Sequence, residues 1–211
     1  MGKKLHLKTI KSVIRQLLRA LVKLHKVGIV HRDMKPENVV VMGNEKPKGA
    51  GKKSKRDRKK KVKVIDFGSG LCLSNDKALN ECVDSQWVGT LNYMAPEKFA
   101  PHPLWQMFSA DVWSIGVICY EMFFQMRLFP VRASSCFLKG RITTGTWTFP
   151  SDCRHVSSVA KHFIQSLLAI NPNRRCTAYH ALAHPFLSKR FYSTCFEWQS
   201  QCSTYAPNSL Q

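Results

Sequence analysis

Acidic residues are scarce in this chain. Its 211 residues hold 13 Asp+Glu against 33 Lys+Arg, a formal net charge of +20. Long apolar runs are also missing. The longest, residues 115–124, has ten residues and contains Glu121, where a bilayer-spanning helix needs roughly 20. No continuous apolar segment with a small-residue cleavage site follows the basic Lys3 and Lys4, so a secretory signal is not expected. Gly2 invites N-myristoylation, but His6 stands where that motif requires Ser or Thr. The eight cysteines (72, 82, 119, 136, 153, 176, 195, 202) form no C-x-x-C pair and no close Cys/His quartet. They read as idle thiols of a reducing compartment rather than as a zinc site or a disulfide framework. There is no internal repeat.

What is present suffices for a core. With 44% hydrophobic and 10% aromatic residues the chain is neither a disordered basic tail nor a low-complexity polymer. Half of its charge sits in one place: from Lys46 to Lys63 there are eleven Lys/Arg against Asp57 alone, and the remainder of the chain carries +10. That stretch has almost nothing to bury, and residues 43–61 read as a disordered insert at the tip of a β-hairpin formed by 39–42 and 62–65. Ile10, Val13, Ile14, Leu17, Leu18, Leu21, Val22 and Leu24 recur at helical steps and predict an amphipathic helix ended by Gly28. Residues 110–124, apolar all round, predict a central helix, and 156–170 and 177–187 two more. The organisation expected is one domain over 1–190 and a flexible tail over 191–211.

Chemistry concentrates in five landmarks. They are His31-Arg32-Asp33-Met34-Lys35-Pro36-Glu37-Asn38; Asp66-Phe67-Gly68 after a strand; Gly89-Thr90 leading to Ala95-Pro96-Glu97; Asp111-Val112-Trp113-Ser114-Ile115-Gly116; and Arg175 three residues after Pro172. In this order and near this spacing they resemble the eukaryotic protein kinases, in the Ser/Thr form because Lys35 lies two residues after Asp33. The resemblance covers roughly residues 7 to 190. It implies phosphoryl transfer from ATP with Mg²⁺, in which a protein aligns a hydroxyl with the γ-phosphate and neutralises charge on its oxygens. By resemblance Asp33 handles the substrate hydroxyl proton and Lys35 meets the γ-phosphate. Asn38 and Asp66 are the Mg²⁺ ligands, and Lys35, Glu37, Asn38, Val40 and Asp66 form the cofactor-binding set, with Val40 beneath adenine. Glu97 is expected to pair with Arg175, and Asp111 to accept the backbone N–H groups around His31 and Arg32. Phe67 is expected to stack on His31 beside Gly68, and Thr90 to bond near Asp33 and Lys35.

The resemblance also implies regulation and partners. An Arg before the catalytic Asp points to control by an upstream kinase acting on the segment between Phe67 and Ala95, with Ser74, Ser85 and Thr90 as candidates and Ser85 nearest the usual position. The protein partner would offer a Ser or Thr acceptor. Residues 137–150 carry no acidic cluster that would select a basic substrate. The sequence shows no G-x-G-x-x-G loop and no β3 lysine, which leads to the expectation of an α+β fold restricted to the mainly α-helical C-terminal lobe with a short β-hairpin, the N-terminal lobe absent. Such a chain would be weakly active or inactive by itself. Two alternatives are a kinase-like scaffold and a nucleic-acid binder acting through residues 46–63, the latter weakened by the lack of interleaved aromatics. That stretch equally suits a polyanion or an import receptor. The location expected is intracellular, cytoplasmic or nuclear, with no membrane partner.

Overall fold

The computed structural model describes residues 5–42, 60–73, 82–83, 88–129, 134–188 and 194–203. The one-sided apolar periodicity near the N-terminus forms helix α1 (Leu7–Lys26), which buries Ile10, Ile14, Leu17, Leu18 and Leu21. It stops where Gly28 takes a φ of +73°, and a Cβ there would lie 2.5 Å from the Leu73 carbonyl oxygen. Only glycine fits this turn.

Six short strands follow among the described residues: β1 (Ile29–Val30), β2 (Val39–Met42), β3 (Lys61–Val64), β4 (Leu71–Cys72), β5 (Cys82–Val83) and β6 (His102–Pro103). They pair antiparallel as β1–β4, β2–β3 and β5–β6. The β2–β3 register runs from Val39 opposite Val64 to Met42 opposite Lys61, so Lys61, counted by sequence with the insert, opens β3. Residues 43–59 of that insert lie outside the described residues. Gln16 of α1 fastens the β3 edge, accepting from the Val62 N–H at 3.0 Å and donating to the Lys60 carbonyl at 3.1 Å.

The helices α2 (Gln106–Phe124), α3 (Ser135–Thr143), α4 (Ser158–Leu167), α5 (Ala178–Ala183) and α6 (Cys195–Ser203) complete the fold. Ser134, Ser157 and Thr177 cap the starts of α3, α4 and α5 by accepting backbone N–H groups. Among the described residues α2 is the one helix long and apolar enough to cross a membrane. Here it forms the centre of the core, with Trp113, Ile115 and Val117 fully buried and α1 and α4 packed against it.

Two expectations are corrected. The fold is not an α-helical lobe with a single hairpin, because two small sheets, β1–β4 and β2–β3, accompany helices that span the chain. Two-residue strands such as β1 and β4 are too short to show alternation in a sequence, so only β2–β3 was visible there. Nor is 191–211 wholly a flexible tail. Residues 195–203 form α6, anchored by Trp198, which is 2% exposed and donates its indole N–H to the His180 carbonyl at 2.9 Å. A single buried anchor gives no periodicity to read.

Candidate active site

β1 delivers the chain to His31, and a tight 3₁₀ turn, Pro36–Asn38, leads it into β2. Below this loop lies Asp111 of α2, 1% exposed. Its Oδ2 accepts the His31 N–H and its Oδ1 the Arg32 N–H, both at 2.9 Å, while the His25 ring reaches Oδ2 at 3.1 Å. Arg32 thereby holds a left-handed φ of 65°, costly for a side chain of its size. The fixed carboxylate offsets that cost and turns Asp33 outward.

Asp33 is held on several sides. Its Oδ1 accepts both the N–H and the hydroxyl of Thr90 at 2.9 Å. Its Oδ2 faces the Lys35 ammonium at 2.7 Å. Lys35 Nζ also donates to the Thr90 hydroxyl at 2.9 Å, and Asn38 Nδ2 donates to the Asp33 carbonyl at 2.8 Å. Burial alone would push the Asp33 carboxyl upward. The hydrogen bonds from Lys35 and Thr90 outweigh it and hold the group below its ordinary 3.8. Thr90 reaches Asp33 because Gly89 adopts a φ of +109°, with space for no Cβ: one would sit 2.6 Å from the Arg32 carbonyl oxygen.

Asp66, two residues beyond β3, also has a left-handed φ of 62°. Its Oδ1 accepts the Gly68 N–H at 3.2 Å, and its carboxylate is exposed. The Phe67 ring lies 4.9 Å from that of His31, and His31 Nε2 bonds the Ile65 carbonyl at 3.1 Å. Val40 and Phe67 are both exposed, so neither is plain core. Glu37 points to Arg127, with Oε1 3.8 Å from the guanidinium. Farther below, Arg175 and Glu97 form a bidentate pair at 2.6 and 2.9 Å, with side chains 0% and 4% exposed. The Ser109, Ala169 and Ile170 carbonyls take the remaining Arg175 donors. Arg32 Nε donates to the Ser69 carbonyl. Ser74 and Ser85 lie outside the described residues.

Two features escaped sequence reasoning. Lys98, one residue after Glu97, is 4% exposed beneath the catalytic loop. Nothing local marks it, since lysines are normally exposed. The second is a convergence of His162, His184 and Cys195, whose ligand atoms all lie within 4.8 Å of one another. Its members come from α4, the end of α5 and the start of α6, so no spacing rule finds them. Its hydrogen bonds oppose a metal. His184 Nδ1 accepts the Phe186 N–H at 3.0 Å, which puts the proton on Nε2, the atom 2.9 Å from His162 Nδ1. Burial, together with neighbouring His162, lowers His184 to about 3 and keeps it neutral. The cluster is a hydrogen-bonded clasp for α6.

Comparison with known families matches the protein kinase domain to residues 2–187, 88% of the chain. The chain is 32% identical over 205 residues to the "Probable myosin light chain kinase" of Dictyostelium discoideum, covering 94% of this chain and 59% of that protein. It is 33% identical to the calcium/calmodulin-dependent protein kinase type II alpha chain of Drosophila melanogaster, covering 84% of this chain and 30% of that protein. It is 37% identical to a CDPK-related protein kinase of Daucus carota, covering 84% of this chain and 26% of that protein. The chain thus spans about a quarter to three fifths of the length of these relatives. The expectation of a C-terminal lobe alone, with the N-terminal lobe absent, is overturned: the match runs nearly end to end and takes in both strand-bearing and helical regions.

Proposed function

Because this chain belongs to the protein kinase domain family, we propose that it transfers the terminal phosphoryl group of ATP to a serine or threonine hydroxyl of a protein. The observation that supports this most is the set of bonds converging on Asp33 from Lys35, Thr90 and Asn38. Held below its ordinary range, Asp33 is ionised at neutral pH and can accept the hydroxyl proton as the new O–P bond forms and the bond to the ADP oxygen breaks. Lys35 keeps a fixed position between the Asp33 carboxylate and the Thr90 hydroxyl, where its charge meets the phosphoryl oxygens.

The donor set suits Mg²⁺. Asp66 offers an exposed carboxylate. Asn38, its Nδ2 committed to the Asp33 carbonyl, is turned so that its side-chain oxygen is the atom left to offer. Hard oxygen ligands of this kind hold Mg²⁺, which when bound neutralises charge on the phosphate oxygens. Glu37 is not counted with them, because its carboxylate faces Arg127. Val40 supplies an apolar floor for the base.

Control by an upstream kinase belongs to the same proposal, with Ser74 and Ser85 as acceptors. Thr90 is a poor one, since its hydroxyl is committed to Asp33 and Lys35. The location proposed is intracellular, cytoplasmic or nuclear. The test is phosphate transfer from Mg-ATP to a generic Ser/Thr protein substrate by the purified chain. Asp33→Asn should lower the rate by about a hundredfold or more. No transfer by the wild type, or transfer indifferent to that substitution, would overturn the reading.

A further inference from the structure

Lys98 has no task in the mechanism above, yet it is buried where few lysines are found. Its ammonium donates to the Val88 carbonyl and, at 3.4 Å, to the Arg32 carbonyl. Those carbonyls belong to the two segments that must meet. Val88 precedes Gly89 and Thr90, whose polar groups hold the Asp33 carboxylate. Arg32 is the left-handed residue directly before Asp33. The charged groups that face Lys98 are Asp111 of α2, Asp33 and Arg32 of the catalytic loop, and the adjacent Glu97. Each has partners of its own: Asp111 holds His31, Arg32 and His25; Asp33 holds Lys35 and Thr90; Arg32 donates to the Ser69 carbonyl; Glu97 holds Arg175.

We propose that Lys98 is a positioning residue whose ammonium ties the Val88 carbonyl to the Arg32 carbonyl and so keeps Thr90 seated on Asp33. The proposal rests on the kinase reading for its consequence, not for its geometry. Burial lowers the Lys98 ammonium to about 8, with Asp111 opposing the drop. A charge kept in this place opposes folding. The unfolded chain holds that proton up to 10.5, so the folded state is disfavoured below about pH 8 and relieved as pH rises from there toward 10.5. Above about pH 8 the neutral amine keeps two N–H donors but loses the charge that strengthens both bonds, so the tie weakens, whereas the guanidinium of an arginine stays charged.

The test compares Lys98→Met and Lys98→Arg with the wild-type chain. Lys98→Met should lower kcat about tenfold or more while KM for ATP moves less than about twofold. Its melting temperature should stay at or above that of the wild type. Wild-type kcat should fall above pH 8, and Lys98→Arg should restore kcat and carry that fall beyond about pH 9.5. A second readout needs no activity: the Thr90 amide, which donates to Asp33, should exchange hydrogen about tenfold faster in Lys98→Met. Should the wild type transfer no phosphate, the kinase reading fails and the exchange measurement still decides this one. Wild-type kcat with wild-type protection in Lys98→Met overturns the proposal. So does a loss of kcat that tracks an equal loss of melting temperature and is not rescued by arginine.

Discussion

The catalytic loop and the strand face beside it are built on opposite principles. Around Asp33 every charged group is tied down by the chain itself. Asp111 accepts two backbone N–H groups, Asp33 is held from four directions, and Glu97 and Arg175 are both under 5% exposed and bidentate. A few ångströms of backbone away, Val40, Val41, Met42, Ile65 and Phe67 are 36–47% exposed. That is apolar surface which folding has left unburied. The groups proposed to move a proton and meet phosphate are held in place by the chain's own hydrogen bonds, where fixed dipoles act most strongly. The groups that would meet an apolar base are held in reserve for binding. If this division is correct, substitutions on the two sides must separate cleanly into stability effects and affinity effects.

The largest effect is expected at the deepest tie. Arg175→Ala leaves Glu97 charged and unpaired in a site where both side chains are under 5% exposed. Breaking a pair of this kind costs about 3–5 kcal/mol, measured as a loss of unfolding free energy in denaturant titration. Replacing both partners, Glu97→Met with Arg175→Met, should recover much of the loss, because no charge is then stranded. A cost under about 1 kcal/mol for Arg175→Ala would place this pair with ordinary surface bridges and break the comparison at its base.

Thr90→Val probes the tie nearest the chemistry. It keeps the backbone N–H on Asp33 and removes the hydroxyl, a charge-assisted bond at 2.9 Å worth about 1.5–3 kcal/mol. Thr90 helps hold the Asp33 carboxyl below its ordinary 3.8, so removing the hydroxyl lets it rise. The sign follows from linkage. The Asp33 contribution to stability is present above the ordinary carboxylate range and is lost as pH falls through the folded-state value. In Thr90→Val the folded-state value lies closer to the ordinary 3.8, so the contribution is smaller and its loss is complete at higher pH, and the acid limb of the rate profile moves up. An unmoved acid limb would show that Lys35 and the Thr90 N–H hold Asp33 down without the hydroxyl.

The same division governs what could be read from the sequence. The catalytic loop was legible because His31 to Asn38 is contiguous, and its partners Asp66, Thr90, Glu97, Asp111 and Arg175 sit in motifs of fixed composition. Helix α1 was legible because one face is apolar and the other basic. Helix α3 was not, since only Leu138 and Ile142 are buried and its capping Ser134 looks like any loop serine. Helix α6 depends on Trp198 and a clasp of His162 and His184 from other elements. Lys98 stayed hidden because composition assigns lysine to solvent, and only tertiary structure shows a cation enclosed by the Val88 and Arg32 carbonyls. The exposure of β2 beyond Val40 was not legible either: its unbroken apolar run shows no alternation, yet three of its four residues are exposed.

That strand offers the smallest and most selective effect. Val40 pairs with Lys63 across the β2–β3 ladder and is 40% exposed. Val40→Thr keeps shape and strand propensity while placing a hydroxyl on the proposed base floor. Because the site is open to water in the folded chain, unfolding free energy should change by less than about 0.5 kcal/mol. Nucleotide affinity should weaken by about threefold to tenfold, since the base would then stack on a group that must give up water. A thermal melt and an ATP titration on the same preparation check both halves. If the melt moves and the affinity does not, Val40 belongs to the core and the two regions are not divided as described. If affinity moves alone, the apolar strip is a binding surface that contributes nothing to holding the fold together.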